Sequence, residues 1–258
     1  MVEIRAFSLA ACLFAALLAS PTADAAGGSK PCAKTLASCP ERGCAKAASS
    51  DALLNKLKRT IPAAGTPVRL TLDDFESLQD QADDKVGQRV SLSAERRKKL
   101  RNLTVSSGTV SEGNLAEVKG YVIAEAGLPR ANSSGESVNC RLKKADNNDF
   151  HISIARESDD SHFDGIVVEM IPQDRPSGWT IKKLKKIGKE KREVLVRGQL
   201  FYDNKHVVND NAAEPVGGQP ARFSLWEIHP VTEFLVCTKQ NQACNENDSQ
   251  QWQKLGDF

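Results

Sequence analysis

The chain has 258 residues, with 35 Lys and Arg residues against 33 Asp and Glu residues, and a net charge of +2. This near balance excludes a generic polycation and an acidic disordered tail, and the 40% apolar composition is that of a globular protein. Seven cysteines are many for such a chain. In an oxidising compartment they would form disulfides, whereas in a reducing one they would suggest metal or redox chemistry.

The first predicted element is a signal peptide at residues 1–25. Residues 7–19 form an uncharged apolar run that is too short to span a membrane, and Ala23-Asp24-Ala25 matches a cleavage pattern. The alternative is an uncleaved membrane anchor. Cleavage after Ala25 leaves a net charge of +3 and six cysteines. The sequence therefore predicts an exported protein, periplasmic or secreted, with no membrane span after cleavage.

An even number of cysteines in an exported chain favours three disulfides. The six are Cys32, Cys39, Cys44, Cys140, Cys237 and Cys244. Fifteen pairings are possible in principle. Short loops favour pairing Cys39 with Cys44 and Cys237 with Cys244, which leaves Cys32 for Cys140. Zinc ligation is the alternative, but the C-x2-C spacing that it needs is absent.

Residues 26–50 are rich in Ala, Gly, Ser, Lys and Cys without apolar periodicity, which predicts a linker held by disulfides. Residues 51–107 contain three segments with helix-capping residues and apolar residues at helical spacing. Leu72, Phe75 and Leu78 are one example. We expect a small helical unit that packs on the domain that follows.

From residue 108 the apolar period changes to two, and five runs rich in β-branched and aromatic residues predict strands. They are 117–124, 149–155, 165–171, 193–202 and 222–237. An amphipathic helix begins at Ile181, between the third and fourth runs. This order predicts an OB-like barrel at 108–238, with connections 125–148 and 203–221 framing a ligand face and a polar tail at 239–258. A five-stranded sandwich is the alternative.

Several segments between residues 117 and 237 resemble an uncharacterised family of exported bacterial proteins with an OB-like C-terminal domain. They are Glu136-Ser-Val-Asn-Cys140, Asn148-Asp-Phe-His-Ile152, Gly165 to Pro172, Gly198 to Asp203 with His206, and Trp226-Glu-Ile-His-Pro-Val231. The Trp-Glu-Ile-His-Pro element is the most specific of them. The resemblance implies fold and export, and it carries no activity.

Three of the four histidines have a carboxylate close in sequence: Asp149 with His151, Asp203 with His206, and Glu227 with His229. Residues two apart on a strand share a face, so Asp149 and His151 should lie together, as should Glu227 and His229. A carboxylate beside an imidazole can orient a metal ligand or a general base. These four residues are the candidates for catalysis, and the alternative is plain hydrogen bonding between strands.

The balanced total charge conceals a basic segment. Between Arg175 and Lys205 the local net charge is +7, which could hold a polyanion or an anionic surface. Aromatic rings beside a basic groove are typical of OB-fold ligand sites, although such rings also fill barrel cores. The predicted ligand-binding residues are Lys182, Lys183, Lys186, Lys189, Arg197, Tyr202, His206 and Trp226.

No nucleophile elbow and no phosphate-binding loop is present in the sequence. The preferred hypothesis is therefore a non-catalytic binding module for an anionic ligand such as a nucleic acid, a glycan or the envelope surface, with no cofactor and no predicted metal ligand. The second hypothesis is a metal-dependent hydrolase or nuclease that uses the histidine and carboxylate pairs. The third is a structural envelope protein with a protein partner.

Overall fold

The computed structural model describes residues 30–88, 91–125, 127–208 and 222–258, so the predicted signal peptide lies outside the described residues. The helices and strands in these ranges are α1 (Ser50–Lys58), β1 (Val68–Leu70), α2 (Leu72–Lys85), α3 (Ala94–Arg97), β2 (Leu103–Val105), β3 (Gly108–Val110), β4 (Leu115–Val122), β5 (Arg130–Ala131), β6 (Phe150–Ala155), β7 (Ile166–Met170), α4 (Ile181–Lys189), β8 (Glu193–Tyr202), β9 (Trp226–Cys237) and β10 (Trp252–Lys254).

Five strands close into a barrel. β4 pairs with β8, β8 with β9, β9 with β7, β7 with β6, and β6 returns to β4. All of these pairings are antiparallel except that of β7 with β9. The shorter strands β1, β5 and β10 extend the sheet beside β4, β6 and β9. The predictions of a mainly-β fold and a closed five-stranded barrel are confirmed.

Two glycines allow close approaches that complete the barrel. A Cβ atom on Gly120 would lie 2.4 Å from the carbonyl oxygen of Ala155, at the place where β4 meets β6. A Cβ atom on Gly188 would lie 2.7 Å from the carbonyl oxygen of Val122, so α4 packs tightly against the end of β4. Only glycine fits at such separations, because any side chain would overlap the backbone.

The barrel core follows the alternation of side chains along the strands. In β9, Trp226 and Ile228 are fully buried among apolar residues of the core. The Trp226 Nε1–H donates to the carbonyl oxygen of Leu78 in α2, at 2.9 Å. The same apolar cluster includes Phe75 of α2. The helical region and the barrel therefore share one core, which agrees with the expectation that the helices pack on the barrel.

Helix α2 begins at a capping box. Thr71 caps the helix, and the Asp74 carboxylate accepts hydrogen bonds from the Thr71 backbone N–H and hydroxyl, both at 2.8 Å. Asp74 also accepts from the backbone N–H and the hydroxyl of Ser106, at 2.6 and 2.9 Å. These bonds tie the first turn of α2 to the hairpin formed by β2 and β3.

Strands also occur where the sequence did not predict them. The region 51–107 contains β1 and β2 besides its helices, and residues 252–254 of the predicted polar tail form β10. Trp252 is buried there against Leu195 and the Cys237–Cys244 disulfide. Three-residue strands have too few residues to show an alternating pattern, so only their pairing partners reveal them.

The structure forms three disulfides, Cys32–Cys44, Cys39–Cys140 and Cys237–Cys244. The last pair confirms the prediction, but the other two pairings were wrong. Both Cys32 and Cys44 donate their backbone N–H groups to the 136–140 turn, to the carbonyl oxygens of Cys140 and Ser137 respectively. That turn therefore organises the amino-terminal segment and brings Cys39, rather than Cys32, to Cys140. Sequence distance could not show this contact.

Candidate functional site

Five buried or half-buried polar residues meet on the outer face of the barrel, and we call them the acid–histidine centre: Asp149, His151, Glu169, Glu227 and His229. The register of β6 and β7 places His151 opposite Glu169. The parallel pairing of β7 with β9 at Val168 and Ile228 sets Glu169 beside the two β9 residues. Since Val168 and Ile228 belong to the core, the centre faces away from it.

Glu169 connects the two histidines of the centre. Its Oε1 lies 3.1 Å from His151 Nε2, and its Oε2 lies 3.2 Å from His229 Nδ1. His229 Nδ1 is also 3.4 Å from Glu227 Oε2, and His229 Nε2 is 3.6 Å from Asp149 Oδ2. The convergence of His151 and His229, which the sequence left open, is therefore present. It depends on Glu169, which the sequence analysis did not select.

Three side chains of the centre are each held through one polar atom and present the other. Asn139 Nδ2–H donates to Asp149 Oδ1 at 2.9 Å, His151 contacts Glu169 Oε1, and Glu227 contacts His229 Nδ1. The opposite atoms are Asp149 Oδ2, Glu169 Oε2 and His229 Nε2. They are buried and form no hydrogen bond among the described residues, although Glu169 Oε2 keeps its 3.2 Å ion-pair contact with His229 Nδ1.

Asp149, Glu169 and His229 also lie close enough together for a shared ligand. Each offers one ligand atom, and these atoms lie within 4.8 Å of one another. A buried polar atom without a partner costs free energy, so three such groups at one place have the geometry of a cation-binding site.

A second ring of charges surrounds the centre. Arg222 forms an ion pair with Glu227. Asp203 is fully buried and lies 2.6 Å from Lys58 Nζ and 3.5 Å from His206 Nε2. His206, a predicted ligand-binding residue, therefore belongs to this second ring.

The charges perturb one another strongly. Burial raises the pKa of Asp149 to about 7, and the Glu136 carboxylate adds to this effect. Burial alone would lower the pKa of His151, but the Glu169 and Glu136 carboxylates outweigh it and raise the pKa to about 9. The pKa of Glu169 lies well below its usual value, because His151 and His229 outweigh the opposing effect of burial.

Helix α1 and the 136–140 turn border the centre on its outer side. A cavity of about 210 Å³ opens between them and is lined by Asp51, Leu54, Asn55, Lys58, Glu136, Ser137, Val138 and Lys205. Glu136 Oε1 lies 3.6 Å from His151 Nε2. The cavity is therefore bordered by a carboxylate that contacts the same imidazole nitrogen as Glu169 does.

The other predicted ligand-binding residues lie elsewhere. Tyr202 and Trp226 are fully buried, so they fill the core and cannot present exposed rings to a ligand. The Arg197 guanidinium pairs with Glu117 and Glu233 across the strands, both at 2.5 Å. Tyr202 and Trp226 therefore follow the core-filling alternative, whereas Arg197 forms ion pairs with neighbouring strands.

The lysines of α4 divide into two groups. Lys183 Nζ donates to the carbonyl oxygen of Gly256 at 2.6 Å, and Lys186 Nζ lies 4.5 Å from the centre of the Phe258 ring. Both lysines therefore contact the carboxyl-terminal residues. Lys182, Lys185 and Lys189 are exposed. Their spacing of three and four residues places them on one stripe of the helix.

Residues that sequence reasoning missed complete the centre: Lys58, Glu136, Asn139, Glu169 and Arg222. Glu169 carried one signal, because it is a single carboxylate inside the apolar run Ile166–Met170. A charged residue is rarely buried in a strand unless it is paired with another residue. Lys58 carried no signal, since it lies in the same helix as the exposed Lys56 and the sequence does not distinguish the two.

Comparisons of the chain with protein-family models, with curated proteins and with solved structures found no match. The fold and the site therefore define the class by themselves: a disulfide-stapled β-barrel protein with a buried acid–histidine centre. Three disulfides indicate an oxidising environment. Within the part of the chain that the structure describes, no helix combines the length and apolarity needed to cross a membrane.

Proposed function

We propose that this protein is a metal-dependent hydrolase whose acid–histidine centre binds one divalent cation through Asp149, Glu169 and His229. The observation that carries the proposal is that three buried residues each offer one ligand atom within 4.8 Å of the others. Each of them also has a buried polar atom without a hydrogen bond among the described residues. Metal ligands are typically oriented by neighbouring residues, which hold the atom opposite the ligating one. Glu227 has this role for His229.

The donor set narrows the choice of cation. One imidazole nitrogen and two carboxylate oxygens suit zinc and other first-row transition metals better than calcium or magnesium, which prefer oxygen ligands alone. Three protein ligands leave a coordination position for water, as in catalytic zinc sites. A metal at such a position lowers the pKa of bound water and supports hydrolysis.

The order of the strands and the position of the centre on the barrel both support the OB prediction. The strands close in the order β4-β8-β9-β7-β6 and back to β4. Helix α4 follows β7 and precedes β8 in the chain, which supports an OB-like barrel. OB folds bind ligands on the face of their second and third strands, with the first-to-second and fourth-to-fifth connections on either side. Here these are β6 and β7, with Asn139 on the first connection and Asp203 on the second.

The Trp226-Glu-Ile-His-Pro element supplies Glu227 and His229, so we propose that this element marks the metal centre in the family that the sequence resembles. Export fits the same proposal, since the three disulfides need an oxidising compartment. A mature amino terminus at Ala26, measured on the exported protein, would support the predicted cleavage, and an intact residue 1–25 segment would contradict it.

The metal content tests the function directly. Purified protein loaded with zinc and then desalted should retain about one equivalent per chain by elemental analysis, and His229→Gln should retain much less. His162→Gln is the matched control, because His162 pairs with Glu125 outside the centre and should leave the metal content unchanged. A wild-type protein without retained metal would contradict the proposal. Metal-dependent cleavage of chromogenic ester and phosphodiester probes should be lost with the metal.

A second candidate function rests on α4. The exposed stripe of Lys182, Lys185 and Lys189 is suited to an anionic surface or polyanion, because α4 carries no acidic residue along its length. Salt-dependent retention of the protein on heparin tests it. Elution at low salt, equal to that of a protein without the stripe, would contradict it.

A further inference from the structure

Lys58 lies beside the acid–histidine centre, in its second ring of charges. It is the last residue of α1, and its Nζ lies 2.6 Å from the buried Asp203 carboxylate and 5.8 Å from the centre of the Phe201 ring. Its side chain is only 16% exposed. The ring of Phe201 in turn lies edge-on to the imidazole of His229, at 5.5 Å. The positive charge of Lys58 is thus separated from the proposed metal ligand His229 by the aromatic ring of Phe201.

The amino-terminal segment fixes this position. Asn55 Nδ2–H donates to Ser137 Oγ at 3.0 Å and to the Arg42 carbonyl oxygen at 2.8 Å, so α1 is attached to the 136–140 turn. Arg59 Nη1–H donates to the Pro40 carbonyl oxygen at 2.9 Å. The Cys39–Cys140 disulfide fastens the same segment to the same turn. Lys58 is therefore held in place on both sides and cannot swing freely into solvent.

The charge on Lys58 is permanent at neutral pH. Burial would lower its pKa, but Asp203, Glu169, Glu227 and Glu136 together outweigh burial and hold the pKa well above its usual value. Two of these carboxylates, Glu169 and Glu227, belong to the acid–histidine centre. Lys58 consequently acts on the same electrostatic potential that a divalent cation at Asp149, Glu169 and His229 would experience.

We propose that Lys58 sets the metal affinity of the acid–histidine centre, as a built-in cation that repels the bound divalent ion and is balanced by Asp203. This inference rests on the metal centre proposed above. Without Lys58, the carboxylates of the centre and of the second ring would attract a cation more strongly, because the surroundings would carry one more net negative charge. With Lys58 in place, the metal is held less tightly than its ligands alone would allow.

A cycle of charge variants tests this role. Lys58→Met removes one positive charge and should tighten zinc binding at least about tenfold, whereas Asp203→Asn removes one negative charge and should weaken it by a similar factor. The double variant restores the wild-type charge and should bind zinc about as tightly as wild type. Lys58→Arg keeps the charge and serves as the conservative control. Zinc affinity is measured by competition with a chromogenic chelator.

The order of affinities separates this proposal from a structural role for Lys58. A structural role predicts that every variant binds zinc more weakly than wild type, in proportion to its loss of folding stability. Tighter binding by Lys58→Met, reversed in the double variant, supports the proposal. Equal or weaker binding by Lys58→Met overturns it. If that variant does not fold, binding by the double variant that is clearly weaker than wild type overturns it. Failure of the wild-type protein to bind zinc would instead overturn the metal centre itself.

Discussion

The acid–histidine centre and the lysine stripe of α4 are both charged regions of this protein, and they differ in burial. The stripe of Lys182, Lys185 and Lys189 is exposed, so water solvates each ammonium group. In the centre, Asp149 and His229 are at most 1% exposed and depend on each other and on their neighbours. Water solvates a charged group at the surface, whereas burying one costs several kcal/mol of free energy, so buried charges occur only with partners. Buried charge is therefore the stronger indication of a site.

The largest expected effect is on stability. It compares the disulfide beside the acid–histidine centre with the disulfide near α4. Replacing Cys39 and Cys140 by serine opens a loop of about 100 residues beside the centre and should lower the free energy of unfolding by about 5 kcal/mol. Replacing Cys237 and Cys244 opens a loop whose ends are seven residues apart and should lower the free energy of unfolding by about 2 kcal/mol. This disulfide lies near the end of α4, because Arg192 donates to the carbonyl oxygen of Cys237. Urea unfolding measures both. Equal losses would show that the amino-terminal segment does not stabilise the site.

The next effect concerns Glu227, which orients His229. Glu227→Gln should lower zinc affinity tenfold to a hundredfold, because an amide holds the imidazole less firmly than a carboxylate does. Glu233→Gln is the matched control on the same strand. Glu233 is half exposed and pairs with Arg197, so this variant should bind zinc as wild type does. If both variants bound zinc equally, Glu227 would not support the ligand set.

A smaller effect tests the contrast between buried and exposed carboxylates within α2. Asp74→Asn removes a buried carboxylate that accepts four hydrogen bonds, and should cost about 1–3 kcal/mol at neutral pH. Asp73→Asn, at an exposed neighbour, should change stability by less than about 0.5 kcal/mol. Thermal unfolding compares the two.

The pH dependence of the Asp74 effect has a definite sign. Burial would raise the pKa of Asp74, but hydrogen bonds from Thr71 and Ser106 outweigh it and lower the pKa. The stabilisation is therefore complete above the unfolded-state pKa of about 4 and is lost as the pH falls through the lower folded-state pKa. The difference between wild type and Asp74→Asn should shrink on acidification. A difference that grew below pH 4 would contradict this assignment.

The smallest effect on stability belongs to the lysine stripe. Changing Lys182, Lys185 and Lys189 to Gln should alter the free energy of unfolding by less than about 0.5 kcal/mol and leave zinc binding unchanged. It should nevertheless lower the salt concentration at which the protein leaves heparin. The matched control changes the exposed Lys34, Lys99 and Lys143, which removes the same charge without the stripe. Identical elution of the two variants would argue against α4 as a binding surface.

Several elements could be predicted because their signals are local. The five barrel strands follow a period of two, and α4 places Leu184 and Ile187 on its buried side with lysines elsewhere. The pairs Asp149 with His151 and Glu227 with His229 were also visible, since residues two apart share a strand face. Cys237 and Cys244 pair across a short loop. In each case neighbours in sequence are neighbours in space.

By itself, the sequence determined the five barrel strands, helix α4, the Cys237–Cys244 disulfide and the two halves of the centre. Only the tertiary structure decided how those halves meet, because Glu169 joins them through the pairing of β6 with β7 and of β7 with β9. It also decided that Cys39 bonds Cys140 and that Lys58 reaches Asp203. The disulfide and the Lys58–Asp203 pair join residues about 100 or more positions apart, and local periodicity carries no information about any of these contacts. Barrel closure and the packing of α1 bring them together.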